Sequence, residues 1–110
     1  MNENEFQEIY EYLKYKKYPQ NLQKRNTKQR FENKIKRYSL INNQLYYEKG
    51  EKKLKVIKRF ELEPILYMTH DDPIAGHFAT EIMYNKIKER YYWPKMYEDI
   101  KIYIESYDQY

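Results

Sequence analysis

The dipeptide Trp93-Pro94 divides the last third of the chain into two patterns that no single helix can span. A proline inside a helix removes a hydrogen bond, and its ring clashes with the preceding turn. Upstream, Met83, Ile87 and Tyr91 recur at helical spacing and predict a helix over 80–91 with Thr80 as its N-cap. Downstream, Met96, Ile100, Tyr103, Ile104 and Tyr107 share one face and predict a helix over 96–107. An aromatic side chain beside such a break packs between helices. Trp93, Tyr91 and Tyr92 are therefore expected in the core rather than as a platform for nucleic-acid bases. Ahead of both helices lies a turn-rich loop, His70-Asp71-Asp72-Pro73-Ile74-Ala75-Gly76-His77, shaped by Pro73 and Gly76.

The earlier part of the chain carries its own punctuation. Phe6, Ile9, Tyr10, Leu13 and Tyr15 predict an amphipathic helix over 3–16, with Glu3, Glu5 and Glu8 suited to its N-terminal dipole and Pro19 beyond its end. Leu22, Phe31 and Ile35 give a thin stripe for a second helix, about 22–36. Asn42-Asn43 between two apolar tetrads reads as a tight hairpin turn, because Asn tolerates positive φ. A second turn at Glu48-Lys49-Gly50-Glu51 leads to a third strand over 54–57. Such a meander needs a helix against it. Leu62, Ile65 and Leu66 supply one over 61–69, with Pro64 in its first turn and His70 at its end. The expected fold is α+β and mainly α. A basic helical N-terminal extension (1–37) precedes a second unit (38–110), made of a three-stranded antiparallel meander (38–58) and a compact helical bundle (60–110).

The chain has 110 residues and no cysteine, so disulfides and thiolate metal sites are both excluded. Its length suits one domain with a modest core. No apolar run is long enough to span a membrane, and the polar, acidic start is unlike a signal peptide, which predicts an intracellular protein with no membrane partner. The net charge of +4 is unevenly spread. Residues 1–59 hold 16 Lys and Arg against 7 Asp and Glu, whereas residues 60–110 hold 5 against 10. Opposed halves suit an anionic partner or head-to-tail self-association. The basic residues concentrate at Lys16, Lys17, Lys24, Arg25, Lys28, Arg30, Lys34, Lys36 and Arg37, interrupted by Glu32 alone, and again over Lys52 to Arg59. They are the candidate phosphate contacts.

The order of motifs from the His70–His77 loop through Tyr91-Tyr92-Trp93-Pro94-Lys95-Met96 to Tyr107-Asp108-Gln109-Tyr110 resembles the His-His-Cys-Cys zinc-binding domain of integrases from retroviruses and gypsy-type retrotransposons. The resemblance covers roughly residues 36–110 and keeps the order and spacing of that family's His-Asp-x-Pro-x-x-Gly-His-Phe entry, Tyr-Tyr-Trp-Pro-x-Met centre and Cys-x-x-Cys end. It implies a structural zinc held at positions 70, 77, 107 and 110. The residue-by-residue transfer holds for His70 and His77, but Tyr107 and Tyr110 occupy the two Cys positions. A phenol ionises near pH 10 and is neutral at pH 7, whereas zinc needs deprotonated ligands. The expectation is therefore that zinc is absent or weakly bound.

That expectation carries a large energy. Zinc-site formation supplies roughly 10–16 kcal/mol in small zinc peptides, comparable to the whole stability of a domain, about 5–15 kcal/mol. Apolar area of the Tyr rings can offset part of the loss, at roughly 25 cal/mol per Å².

The resemblance also bears on function. Integrase chemistry uses three carboxylates on two metal ions in a separate ribonuclease-H-like domain. The acidic residues here form no spaced triad, and no nucleophilic triad or phosphate-binding glycine loop is present, so no catalytic activity is expected. The expected function is a non-catalytic accessory module of retroelement DNA integration. The resemblance implies a nuclear module that helps to bind element DNA ends and helps the integrase multimerise; the basic half, with no base-reading element, is expected to bind DNA weakly and without sequence preference. The alternatives are a protein–protein oligomerisation module, as a homo-oligomer or within a larger integrase polyprotein, and a decayed fragment without a role.

Overall fold

The computed structural model describes residues 1–20, 22, 25–69 and 79–107. Helix α1 (Glu3–Tyr15) starts where the Asn2 side chain accepts a hydrogen bond from the Glu5 amide at 2.7 Å, with Glu3 and Glu5 in the first turn. It ends before Pro19, because Lys16 turns left-handed (φ 58°) and its amide donates to the Tyr12 carbonyl. Ile9 is buried, but Tyr15, expected on the apolar face, is 64% exposed. Helix α2 (Arg25–Ile35) is shorter than the expected 22–36 and buries Phe31 and Ile35.

Strands β1 (Tyr38–Ile41), β2 (Gln44–Lys49) and β3 (Lys52–Val56) form the expected meander. Asn42 and Asn43 both have positive φ (53° and 63°), as a two-residue type I′ turn demands. Gly50 (φ 62°) stands first in the second two-residue loop, the position that a type II′ turn reserves for glycine. Tyr38 faces Tyr47, and Tyr47 faces Leu54, so the two turns set one register across all three strands.

A 3-10 turn (Arg59–Glu61) leads into α3 (Leu62–Thr69), with Pro64 in the first turn as expected. Helix α4 (Ala79–Ile87) contradicts the sequence reading at both ends. Thr80 lies inside it rather than capping it, and the helix stops before Tyr91. Tyr91 and Tyr92 are instead strand β4, parallel to β3, with Lys55 opposite Tyr91 and Val56 opposite Tyr92. The sheet is therefore four-stranded and mixed, in the order β1-β2-β3-β4, and not a three-stranded antiparallel meander. Two forces decide this. Trp93 precedes a proline and is biased toward extended backbone. The free edge of β3 also needs partners: the Lys55 amide donates to the Arg90 carbonyl and the Ile57 amide to the Tyr92 carbonyl. Helix α5 (Met96–Tyr107) matches its predicted span.

One apolar core runs through these elements, from Met1 and Ile9 through Leu45, Val56 and Ile57 to Met83, Ile87, Trp93, Ile100 and Ile104. It continues across the expected 37/38 boundary, and Met1 is part of it. The Met1 amine donates to the Ile57 carbonyl at 2.9 Å, and the Arg59 amide donates back to the Met1 carbonyl at 2.7 Å. Burial followed by the nearby Arg59 guanidinium holds that amine below its usual pKa.

Candidate zinc and nucleic-acid sites

Of the family ligand positions, His70, His77 and Tyr110 lie outside the described residues, as do Pro73 and Gly76 of the connecting loop. Tyr107 is the last residue of α5, and α3 ends at Thr69, whose hydroxyl donates to the Ile65 carbonyl at 2.8 Å. Among the described residues, no three His, Cys, Asp or Glu side chains converge as a metal site.

The junction between α4 and α5 is fully built. Trp93 is 1% exposed, and its Nε1 donates to Asp99 Oδ2 at 2.9 Å. Asp99 also pairs with Arg59 at 3.3 Å. The indole is thus a core residue with its polar end satisfied, as expected of a Trp beside a helix break. Tyr91 and Tyr92 also pack against the core, although both are only half-buried. Tyr92 stacks on Tyr47 with ring centres 3.8 Å apart and planes 8° off parallel, and Tyr38 meets Tyr47 edge-on at 5.2 Å. Burial raises the pKa of both Tyr38 and Tyr92.

The basic residues divide by what they already touch. Lys34 pairs with Glu5, Lys28 lies 5.4 Å over the Tyr18 ring, and Lys16 lies 5.3 Å over the Tyr12 ring. Arg37 donates to the Tyr47 hydroxyl at 3.1 Å. The Tyr18 hydroxyl donates to Glu32, the one acid among these cations, and that bond raises the Tyr18 pKa. Lys17, Arg30 and Lys36 are exposed, and among the described residues none of their side chains has an ion pair or hydrogen bond. Lys24 lies outside the described residues, and of Arg25 only the backbone, at the start of α2, is described. In the second basic stretch, Lys52 pairs with Glu89, Arg59 with Asp99, and Lys58 lies 4.4 Å over the Phe6 ring. Those three cations already have partners within the chain.

Residues 57–110 match the family described as the integrase zinc binding domain. This part of the chain belongs to that family. No curated protein and no solved structure matches the chain. The match begins at Ile57, so the integrase zinc binding domain here comprises α3, α4, β4 and α5, without the meander that the sequence resemblance had included. Zinc is the family's metal, but the four ligand positions of this chain present two imidazoles and two phenols. That donor set does not fit a structural zinc, which takes thiolates, imidazoles or carboxylates.

Proposed function

We propose that the chain is a non-catalytic, integrase-derived module that binds nucleic acid weakly and without sequence preference through its basic N-terminal helices. In this reading the module serves DNA integration of a gypsy-type retroelement in the nucleus and has lost tight zinc binding with its two thiols. The observation that carries the reading is the set of exposed cations with free side chains, Lys17, Arg30 and Lys36, in or just beyond helices that share one apolar core with an integrase-family domain. Cations already held by internal partners gain little from a phosphate. Free ones release condensed counterions when they meet it. Duplex DNA binding, followed by fluorescence anisotropy across a salt series, tests this. Changing Lys17, Arg30 and Lys36 together to Ala should weaken binding and flatten the log–log salt slope by up to about 0.9 per lost contact. An unchanged slope would overturn the reading.

A second reading, self-association, is favoured by one specific observation. Phe60, Tyr67, Met68 and Ile102 are each more than 60% exposed although large and apolar. Self-association through them predicts a molecular mass that rises with protein concentration and is insensitive to salt. Sedimentation velocity separates the two readings.

A further inference from the structure

The β2–β3 turn and the α4–α5 junction enclose an open cleft of about 750 Å³, within the range of about 300–1,000 Å³ typical of small-ligand sites. Its walls differ from a core remnant in two respects. First, they carry one well-exposed aromatic ring: Tyr97 is 42% exposed and meets Tyr84 edge-on at 5.5 Å, and the stacked Tyr47 and Tyr92 rings also line the cleft. Second, the rim is cationic. Arg37, Lys49, Lys88 and Lys95 line it against Glu48 and Glu98. Lys88 lies 5.3 Å over the Tyr84 ring.

Lys95 has a further property. Its φ is 64°, the left-handed region that glycine or asparagine would occupy with less strain. Lys95 stands beside Pro94 on the cleft, and asparagine is the replacement that its backbone tolerates best.

We infer that this cleft binds a short single-stranded stretch of nucleic acid, with a base against Tyr97 and a phosphate against Lys95. The inference deepens the nucleic-acid reading above and rests on it. Rings with exposed faces beside cations are the combination that holds unpaired bases regardless of sequence. A duplex keeps its bases stacked on each other and offers these rings nothing, so it belongs to the α1–α2 cations. A purely apolar ligand would leave the charged rim unused. Arg37 connects the surfaces: it closes the basic segment and lines the cleft.

The test uses the whole chain with a labelled oligothymidylate and, separately, a labelled duplex. Tyr97→Ala should weaken oligothymidylate binding roughly ten-fold, the scale of one lost base stack, and Tyr97→Phe should retain it. Lys95→Asn keeps a residue that tolerates the left-handed backbone, so it should fold normally yet bind the single strand several-fold more weakly. Its salt slope should be lower by about 0.7. Duplex binding should be unchanged in all three variants. If Tyr97→Ala and Lys95→Asn bind oligothymidylate normally while Arg30→Ala does not, single strands bind at α2 and the cleft is overturned, although the nucleic-acid reading stands. If polyglutamate displaces the oligonucleotide from the cleft at equal charge concentration, the rings are not reading bases and the inference fails. If neither nucleic acid binds, both readings fall together.

Discussion

Helices α1 and α2 meet through aromatic rings, whereas α4 and α5 meet mainly through aliphatic chains. In the first pair, Tyr12 lies edge-on to Phe31 at 5.5 Å, Tyr18 fills in beside both, and Lys34 is tied to Glu5. In the second, Met83, Ile87, Met96, Ile100 and Ile104 are all buried, with the Trp93–Asp99 hydrogen bond at one end. The difference separates two tasks. Ring and charge contacts at the N-terminal pair still leave several cations facing solvent, available to a partner. The aliphatic pair spends its surface on the fold, within the half that belongs to a metal-binding family.

The comparison is most easily broken at Trp93. Trp93→Ala removes the largest fully buried side chain and leaves Asp99 without its indole donor, so it should destabilise the chain by about 3–5 kcal/mol. Phe31→Ala, in the ring-built pair, should fall at or below the lower end of that range, because Phe31 lies at the edge of the core at 9% exposed. Urea unfolding measures both. Equal losses would mean that the two pairs contribute alike.

Restoring the metal sharpens the comparison next. The chain as it stands should carry well under one zinc by elemental analysis. Tyr107→Cys with Tyr110→Cys should create a two-imidazole, two-thiolate site on His70, His77 and the new thiols. Free zinc at a thousand-fold excess over its Kd should then stabilise the protein by about 4 kcal/mol, reversibly with chelator. Adding His77→Ala should remove most of the gain. Stoichiometric, chelator-resistant zinc in the unchanged chain would sink the ligand-loss reading.

A smaller effect should appear in alkali. Burial holds the Tyr38 and Tyr92 phenols protonated above their ordinary pKa, so the folded state keeps protons that the unfolded chain releases near pH 10. Their contribution is fully present below about pH 10 and is lost as pH rises beyond it. The urea midpoint should fall between pH 9 and pH 11, and Tyr38→Phe should make that fall shallower. The smallest change concerns Lys16, whose left-handed φ of 58° suits glycine. Lys16→Gly should raise stability by about 0.5–1 kcal/mol, and the comparison predicts that it costs one cation over the Tyr12 ring without loosening α4 against α5.

The elements that could be read in the sequence were those with strong local signals. The Asn42-Asn43 turn, the Ile100–Ile104 face and Pro64 each act through their own backbone or nearest turn. What failed was set at a distance. Tyr91 fits a helical spacing perfectly well, and only the open edge of β3 makes it a strand. Met1 carries no local pattern at all, yet it is buried because Ile57 and Arg59 bond to both its ends. The candidate cleft was missed for the same reason: its rings come from β2, α4, β4 and α5. The one clue was a surplus of tyrosine, 15 in 110 residues, beyond what a core of this size can bury. The absence of cysteine, by contrast, was fully visible in the residues themselves.

Strand β4 is two residues long and joins the sheet last in chain order, yet it closes the longest-range pairing in it. The β1–β2–β3 hairpins need only two-residue loops and can form within microseconds. The β3–β4 pairing must wait until α3 and α4 have brought Tyr91 back to Lys55, a closure that carries a larger entropy cost. Until then the far edge of β3 presents unpaired backbone groups beside Leu54 and Val56. A nascent chain in that state is open to pairing with another copy. Tyr91-Tyr92 is therefore also a guard: once paired, it closes the edge at which this sheet can recruit the wrong partner.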